Sequence, residues 1–171
     1  MSQQFGPDNA RLRIRTGRTG GAAKAGHDLV IEVQSWQGTL DLEAQPALML
    51  TADSRSLRVL EGTGGIKSLS DGDKADIKKT IDKEVLKGCT IEFRSNEVQQ
   101  APGGDLSVRG ELSLNGKQAP VTFDLAVGDD GHVTGSAKVA QTAFGMKPYS
   151  ALFGALKVAD EVAIEIDAKP H

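Results

Sequence analysis

Cysteine is almost missing from this chain. Cys89 is the only one, so an internal disulfide is excluded and a reducing compartment fits. Cys89 itself reads as a small buried residue at the start of a strand rather than a reactive thiol. Histidine is nearly as scarce: His27, His132 and His171 include no pair at metal-ligand spacing, so neither a metal site nor a cofactor is expected. No serine, cysteine or lysine stands in a recognisable nucleophile setting, and no catalytic residue is assigned. Excess charge is absent as well. With 20 Lys and Arg against 23 Asp and Glu, the net charge of -3 provides no field to attract nucleic acid or an anionic membrane. No apolar run is long enough to span a bilayer, and MSQQFGPDNA lacks the n- and h-regions of a secretory signal. A soluble, cytoplasmic protein without stable membrane insertion is expected. At 171 residues, the chain suits a single domain over 1–171.

What is present is alternation. From Leu106 to Leu114 the apolar positions Leu106, Val108, Gly110, Leu112 and Leu114 share one face, with Ser107, Arg109, Glu111 and Ser113 on the other. After Asn115-Gly116-Lys117-Gln118, Val121, Phe123, Leu125 and Val127 resume the pattern. This predicts a long antiparallel hairpin with one dry face, its second strand beginning near Pro120. Leu12 and Ile14 likewise alternate with Arg11, Arg13 and Arg15. Arg18 and Lys24 carry that basic patch into a glycine-rich loop, read as a turn, with a headgroup contact as the competing reading. His27 shares parity with Leu29, Ile31 and Val33 and so points inward, away from Asp28. Trp36, Leu40 and Leu42 continue an inward face, with Gly38 as a bulge or bend, and Leu48, Leu50 and Ala52 form a further strand. Later strands place Ile91 and Phe93, then Val133, Gly135, Ala137 and Val139, and finally Val162, Ile164 and Ile166 inward.

Only one stretch departs from period two. Ile77, Ile81 and Val85 recur every four residues, which predicts an amphipathic helix over about 71–87, capped by Ser70 or Asp71 and stopped at Gly88. The connection from Gln141 to Leu156 concentrates Phe144, Met146, Tyr149, Leu152 and Phe153. Such a loop tucks inward, either capping the core or forming the mouth of a cavity, and an exposed Phe144 would invite a homodimer.

Aromatic residues make up only 4% of the chain. Several inward positions are tiny: Gly38, Ala52, Gly110, Gly135 and Ala137. A closed antiparallel barrel of about eight strands must fill its interior with side chains or hold a ligand there, and small inward residues leave room.

The hairpin Gly110 to Gly116 followed by Pro120-Val121-Thr122-Phe123, the segment Phe144-Gly145-Met146, and the closing Asp160 to Ile166 together resemble the YceI-like family of polyisoprenoid-binding proteins. Gly26-His27 and Phe93-Arg94-Ser95 fit as well. The resemblance covers nearly the whole chain and implies an all-β, lipocalin-like antiparallel barrel that holds a long isoprenoid or similar lipid, not an enzyme. The lysine- and aspartate-rich stretch from Ser68 to Gly88 replaces the family's usual sequence there. Together with Ser56 to Val59 and Glu61 to Gly65, it is similar to a cytosolic branch found chiefly in high-GC Gram-positive bacteria.

The expected function is binding or carriage of a long-chain apolar ligand, be it polyisoprenoid, isoprenoid quinone or fatty-acid-like lipid. His27, Trp36, Phe93, Phe123, Phe144, Met146, Tyr149 and Phe153 are the expected cavity lining. His27 and Tyr149 would make the polar contacts, and Arg58 or Lys67 would meet a headgroup. A filled-core barrel that serves as a structural or partner-binding module is the alternative, followed by an enzyme using His27 and Tyr149.

Overall fold

The computed structural model describes residues 2–19, 27–63, 69–151 and 156–169. Its main body is one antiparallel sheet built from β1 (Ser2–Phe5), β2 (Ala10–Arg15), β4 (Asp28–Val33), β5 (Trp36–Asp41), β6 (Ala47–Asp53), β7 (Leu57–Thr63), β8 (Thr90–Gln100), β9 (Leu106–Leu114), β10 (Lys117–Val127), β11 (Val133–Ala140) and β14 (Glu161–Ala168). The spatial order is β1-β5-β6-β8-β9-β10-β11-β14-β2-β4-β7. A second, three-stranded sheet sets β3 (Arg18–Thr19) beside β13 (Leu156–Val158) and β12 (Ser150–Ala151).

Eleven strands in the main sheet correct the expectation of about eight. The difference arises at corners, because β1 with β2, β4 with β5, and β6 with β7 are each one run of chain broken by a bend. Pairing passes through the second and third of these bends: Gln34 N–H donates to Ser56 O at 2.9 Å and Asp53 N–H to Ser35 O at 2.9 Å. Ser56 Oγ accepts from Ser35 N–H at 3.0 Å and donates to Asp53 O at 2.7 Å, so the backbone groups exposed by the corner find partners. The sheet therefore curls into a half-barrel instead of lying open.

The hairpin of β9 and β10 follows the predicted parity, with Leu106, Val108, Gly110 and Leu112 buried and Ser107, Arg109 and Glu111 exposed. Its turn is shorter than expected. Asn115 (φ 55) and Gly116 (φ 71) alone make it, both left-handed, and the chain is back in the ladder at Lys117. Pro120 therefore lies inside β10, opposite Glu111, along a stretch whose other side meets β11 only from Asp124 onward. Its missing N–H falls where a strand partner is present on one side only.

Gly38 is not a bulge. It pairs in unbroken register with Phe5 and Leu50, and a Cβ there would sit 3.4 Å from Met49 O and 3.6 Å from the Trp36 ring. Register shifts occur instead between Val30 and Ile31 and between Ser95 and Glu97.

The helix begins as predicted and ends differently. α1 (Asp71–Thr80) opens with a capping box: Ser70 Oγ accepts from Asp73 N–H at 3.1 Å while Asp73 Oδ2 accepts from Ser70 N–H at 3.0 Å. Residues Ile81–Val85 then widen into a π turn, closed by Leu86 N–H donating to Ile81 O at 2.8 Å. The wider turn keeps Ile77, Ile81, Val85 and Leu86 on one inward face, although the first three are only half-buried. The helix lies against β7, and Lys78 Nζ donates to Arg55 O at 3.0 Å in the turn before that strand. Cys89, half-buried and packed against the core, immediately precedes β8.

Candidate ligand-binding cavity

The half-barrel and its helix enclose a cavity of about 560 Å³, walled by inward residues from all eleven strands of the main sheet. The wall is overwhelmingly aliphatic. Leu12, Ile14, Leu50, Phe93, Ile164 and Ile166 are typical of it, and helix residues Ile77, Ile81 and Val85 close one side.

Of the nine residues expected to contact ligand, the structure brings five to this wall: His27, Phe93, Phe123, Met146 and Tyr149. Phe93 and Phe123 pack against each other, ring centroids 5.4 Å apart and planes tilted by 57°. Three others lie elsewhere. Trp36 is buried at the corner between β4 and β5 beside Gly38, and its indole N–H has no partner. Phe144 is 1% exposed and is driven into the core beneath the hairpin turn, where Asn115 Nδ2 donates to its carbonyl at 3.1 Å. Phe144, whose loop was to support a homodimer if exposed, is thus buried, while Tyr149 of the same loop is 42% exposed. Arg58 is exposed on the outer face of β7, directly opposite Glu32, at the end of the cross-strand row Glu165, Arg13, Glu32, Arg58. Alternating charge stabilises neighbours on a solvated face, so Arg58 belongs to that row and not to a headgroup site. Phe153 and Lys67 fall outside the described residues.

Two of the small inward residues do not leave space. A Cβ on Gly110 would lie 2.6 Å from Phe93 Cζ, and one on Gly135 would lie 2.5 Å from Leu125 Cδ2. These glycines admit neighbouring side chains, and the hollow is bounded by them, not created by the missing Cβ.

Thr16, Arg18, His27, Gln141 and Tyr149, five polar members of the wall, gather at one end. Leu29 N–H donates to Thr16 Oγ1 at 3.0 Å, and Arg18 Nε donates to Asp28 Oδ1 at 2.9 Å, next to His27. Val158, paired with Arg18, donates its N–H to Tyr149 O at 2.9 Å. Gln141, 8% exposed, donates from Nε2 to Ala159 O at 3.1 Å, and Ala159 N–H reaches Gly17 O at 3.0 Å. Thr16, Arg18 and Gln141 were not singled out for the wall by sequence reasoning. The signal was there: each continues the inward parity of its strand, since Leu12-Ile14-Thr16-Arg18 and Gly135-Ala137-Val139-Gln141 are unbroken steps of two.

The turn carrying this end is clasped by Asp160. Thr142 donates its N–H to Oδ1 at 2.8 Å and its hydroxyl to Oδ2 at 2.7 Å, while Gly145 (φ 66) ends the short 3₁₀ turn Gln141–Phe144. The side-chain bond from Thr142, and then its backbone N–H, hold the Asp160 carboxyl below the 3.8 usual for aspartate. A lowered folded-state value contributes stability above that ordinary pKa and loses it as pH falls through the folded one. Asp160→Ala is therefore expected to lower the melting temperature at neutral pH, with the gap to the parent closing as both are titrated into acid. A gap that stays constant across the titration would remove the carboxylate from this role.

Among the described residues no group of His, Cys, Asp and Glu is placed to hold a metal ion, and no helix is long and apolar enough to cross a membrane.

A curled antiparallel sheet around an apolar hollow, with one helix across its side, defines a lipocalin-like barrel. Solved structures share this fold. Burkholderia cenocepacia BcnA superposes with a TM-score of 0.67 at 18% identity, covering 92% of this chain and 94% of that one. A polyisoprenoid binding domain from Saccharophagus degradans, implicated in plant cell wall breakdown, gives 0.55 at 9% identity over 98% of both chains. The Campylobacter jejuni YCEI protein gives 0.55 at 13% identity over 81% of both. No curated protein matches the chain in sequence. The YceI-like domain model matches residues 12–169, and the chain belongs to that family.

Proposed function

We propose that this protein binds a long-chain apolar ligand inside the barrel and carries or sequesters it, acting as a binding protein and not as an enzyme. The observation that carries the reading is the hollow itself, about 560 Å³ bounded by aliphatic side chains. A well-packed domain interior holds few voids larger than a water, so a space of this size needs an occupant or a reason to stay empty. Each methylene moved from water to such a wall gains ~0.8 kcal/mol, and a chain of several isoprene units outweighs the cost of ordering it. The Saccharophagus degradans relative, described as polyisoprenoid-binding, supports the same chemistry. His27 and Tyr149 face one cavity and serve in this reading as hydrogen-bonding groups, not as an acid and base.

Native mass spectrometry of the protein purified from its own host, followed by solvent extraction, tests this. A retained lipid mass that extraction removes is the expected result. Protein of bare mass that also fails to take up any prenyl alcohol or fatty acid would end the proposal.

A further inference from the structure

The wall of the cavity is held together in two different ways. Each strand of the main sheet is tied to a neighbour by a ladder of backbone hydrogen bonds, so parting two of them breaks several bonds at once. The helix and its π turn bond their backbone internally and are held to the barrel by side chains. α1 lies against β7, the last strand in the spatial order, which takes its strand pairing from β4 alone among the described residues. Lifting the helix therefore breaks no ladder, and it is the part of the described wall that opens at least cost.

The packing of this segment agrees. From Asp71 to Val85 no side chain is buried, whereas Leu86, the next residue, is. Ile77, Ile81 and Val85 line the cavity while only half-buried, so the apolar surface that holds the helix down is completed only when the hollow is occupied. The other attachments are few and made by side chains. Lys78 Nζ donates to Arg55 O at 3.0 Å, and Leu69 fills the gap over Gly62, where a Cβ would lie 2.5 Å from Leu69 Cδ1. Past the buried Leu86 the chain turns through two consecutive left-handed residues, Lys87 (φ 54) and Gly88 (φ 71), before β8 begins. A short turn at the end of an element is where a change of direction is absorbed. We propose, given the carrier reading, that residues 70–85 form a lid that pivots at Leu86-Lys87-Gly88 to admit and release the ligand, and that an occupant of the cavity holds it shut.

Stopped-flow binding of N-phenyl-1-naphthylamine, a neutral apolar fluorophore, tests this in a Cys89→Ser background that carries Arg55→Cys and Lys78→Cys. A short bismaleimide joins the two new thiols across the contact between turn and helix, and the same protein capped with N-ethylmaleimide is the control. With the helix pinned, the rates of entry and exit should fall together by about 10-fold or more while Kd stays near that of the control. Lys78→Ala, which removes the tether, should speed exit by roughly 5-fold, the scale of one hydrogen bond. Hydrogen exchange gives a second readout: amides from Lys74 to Val85 should exchange well before those of β9 in the free protein, and the bound fluorophore should slow them by about 10-fold or more. Equal rates in pinned and capped protein, or helix amides that exchange only together with β9, overturn the lid and leave the carrier reading standing. If the folded parent binds neither this fluorophore nor farnesol, the carrier reading itself fails.

Discussion

Ala137→Trp is expected to weaken binding of an apolar ligand by at least about 50-fold while leaving the barrel folded. Ala137 is half-buried on β11, paired with Ile164 of β14, and its Cβ faces the cavity. An indole placed there occupies space now shared by the ligand. Excluding even three methylenes forfeits about 2.4 kcal/mol at ~0.8 each, which is roughly 50-fold in Kd. Overpacking normally destabilises a core because neighbours have to move, but a hollow accepts the extra volume without that strain. The melting temperature should therefore stay close to the parent's. Ala126→Trp is the matched control, since Ala126 is exposed on the outer face of the neighbouring strand β10. Equal loss of binding in both variants, or unimpaired binding in Ala137→Trp, would show that the chamber is not where the ligand sits.

The second large effect concerns stability. Gly110→Val should destabilise the fold by about 3 kcal/mol or more, at the upper end of overpacking costs. A Cβ at this position would collide with Arg94 O and lie 2.7 Å from Ser95 Cα, both backbone atoms of the strand alongside. The Phe93 ring occupies the remaining space. Backbone cannot swing aside as a side chain does, so β8 and β9 would have to separate just where the register already shifts between Ser95 and Glu97. Urea denaturation measures this directly. A midpoint unchanged from the parent would mean that the close approach relaxes freely.

Much of the outcome was legible because side-chain direction in a strand is a local property. Parity alone put His27 with Leu29 and Ile31, and Phe123 with Val121 and Leu125, on the cavity side. It also carried, unread, the inward placement of Thr16 and Gln141 past the ends of their apolar runs. Trp36 and Phe144 show where the method stops. Both point inward, yet one is buried at a corner and the other under a turn, because being inside and touching the hollow are different conditions. Arg58, expected at a headgroup, has neighbours Leu57 and Val59 that point inward, and its partner Glu32 lies on another strand.

By itself, then, the sequence determined an antiparallel sheet with one apolar face and a capped helix, and it left open whether the interior was hollow or filled. Only the tertiary structure decided that three runs of chain bend to give eleven strands, that Phe93 and Leu125 fill the gaps left by glycines, and that Thr16, Arg18, His27, Gln141 and Tyr149 collect at one end. Alternation follows from the geometry of successive residues. The shape of the hollow follows from which distant strands meet, and no spacing along the chain encodes that.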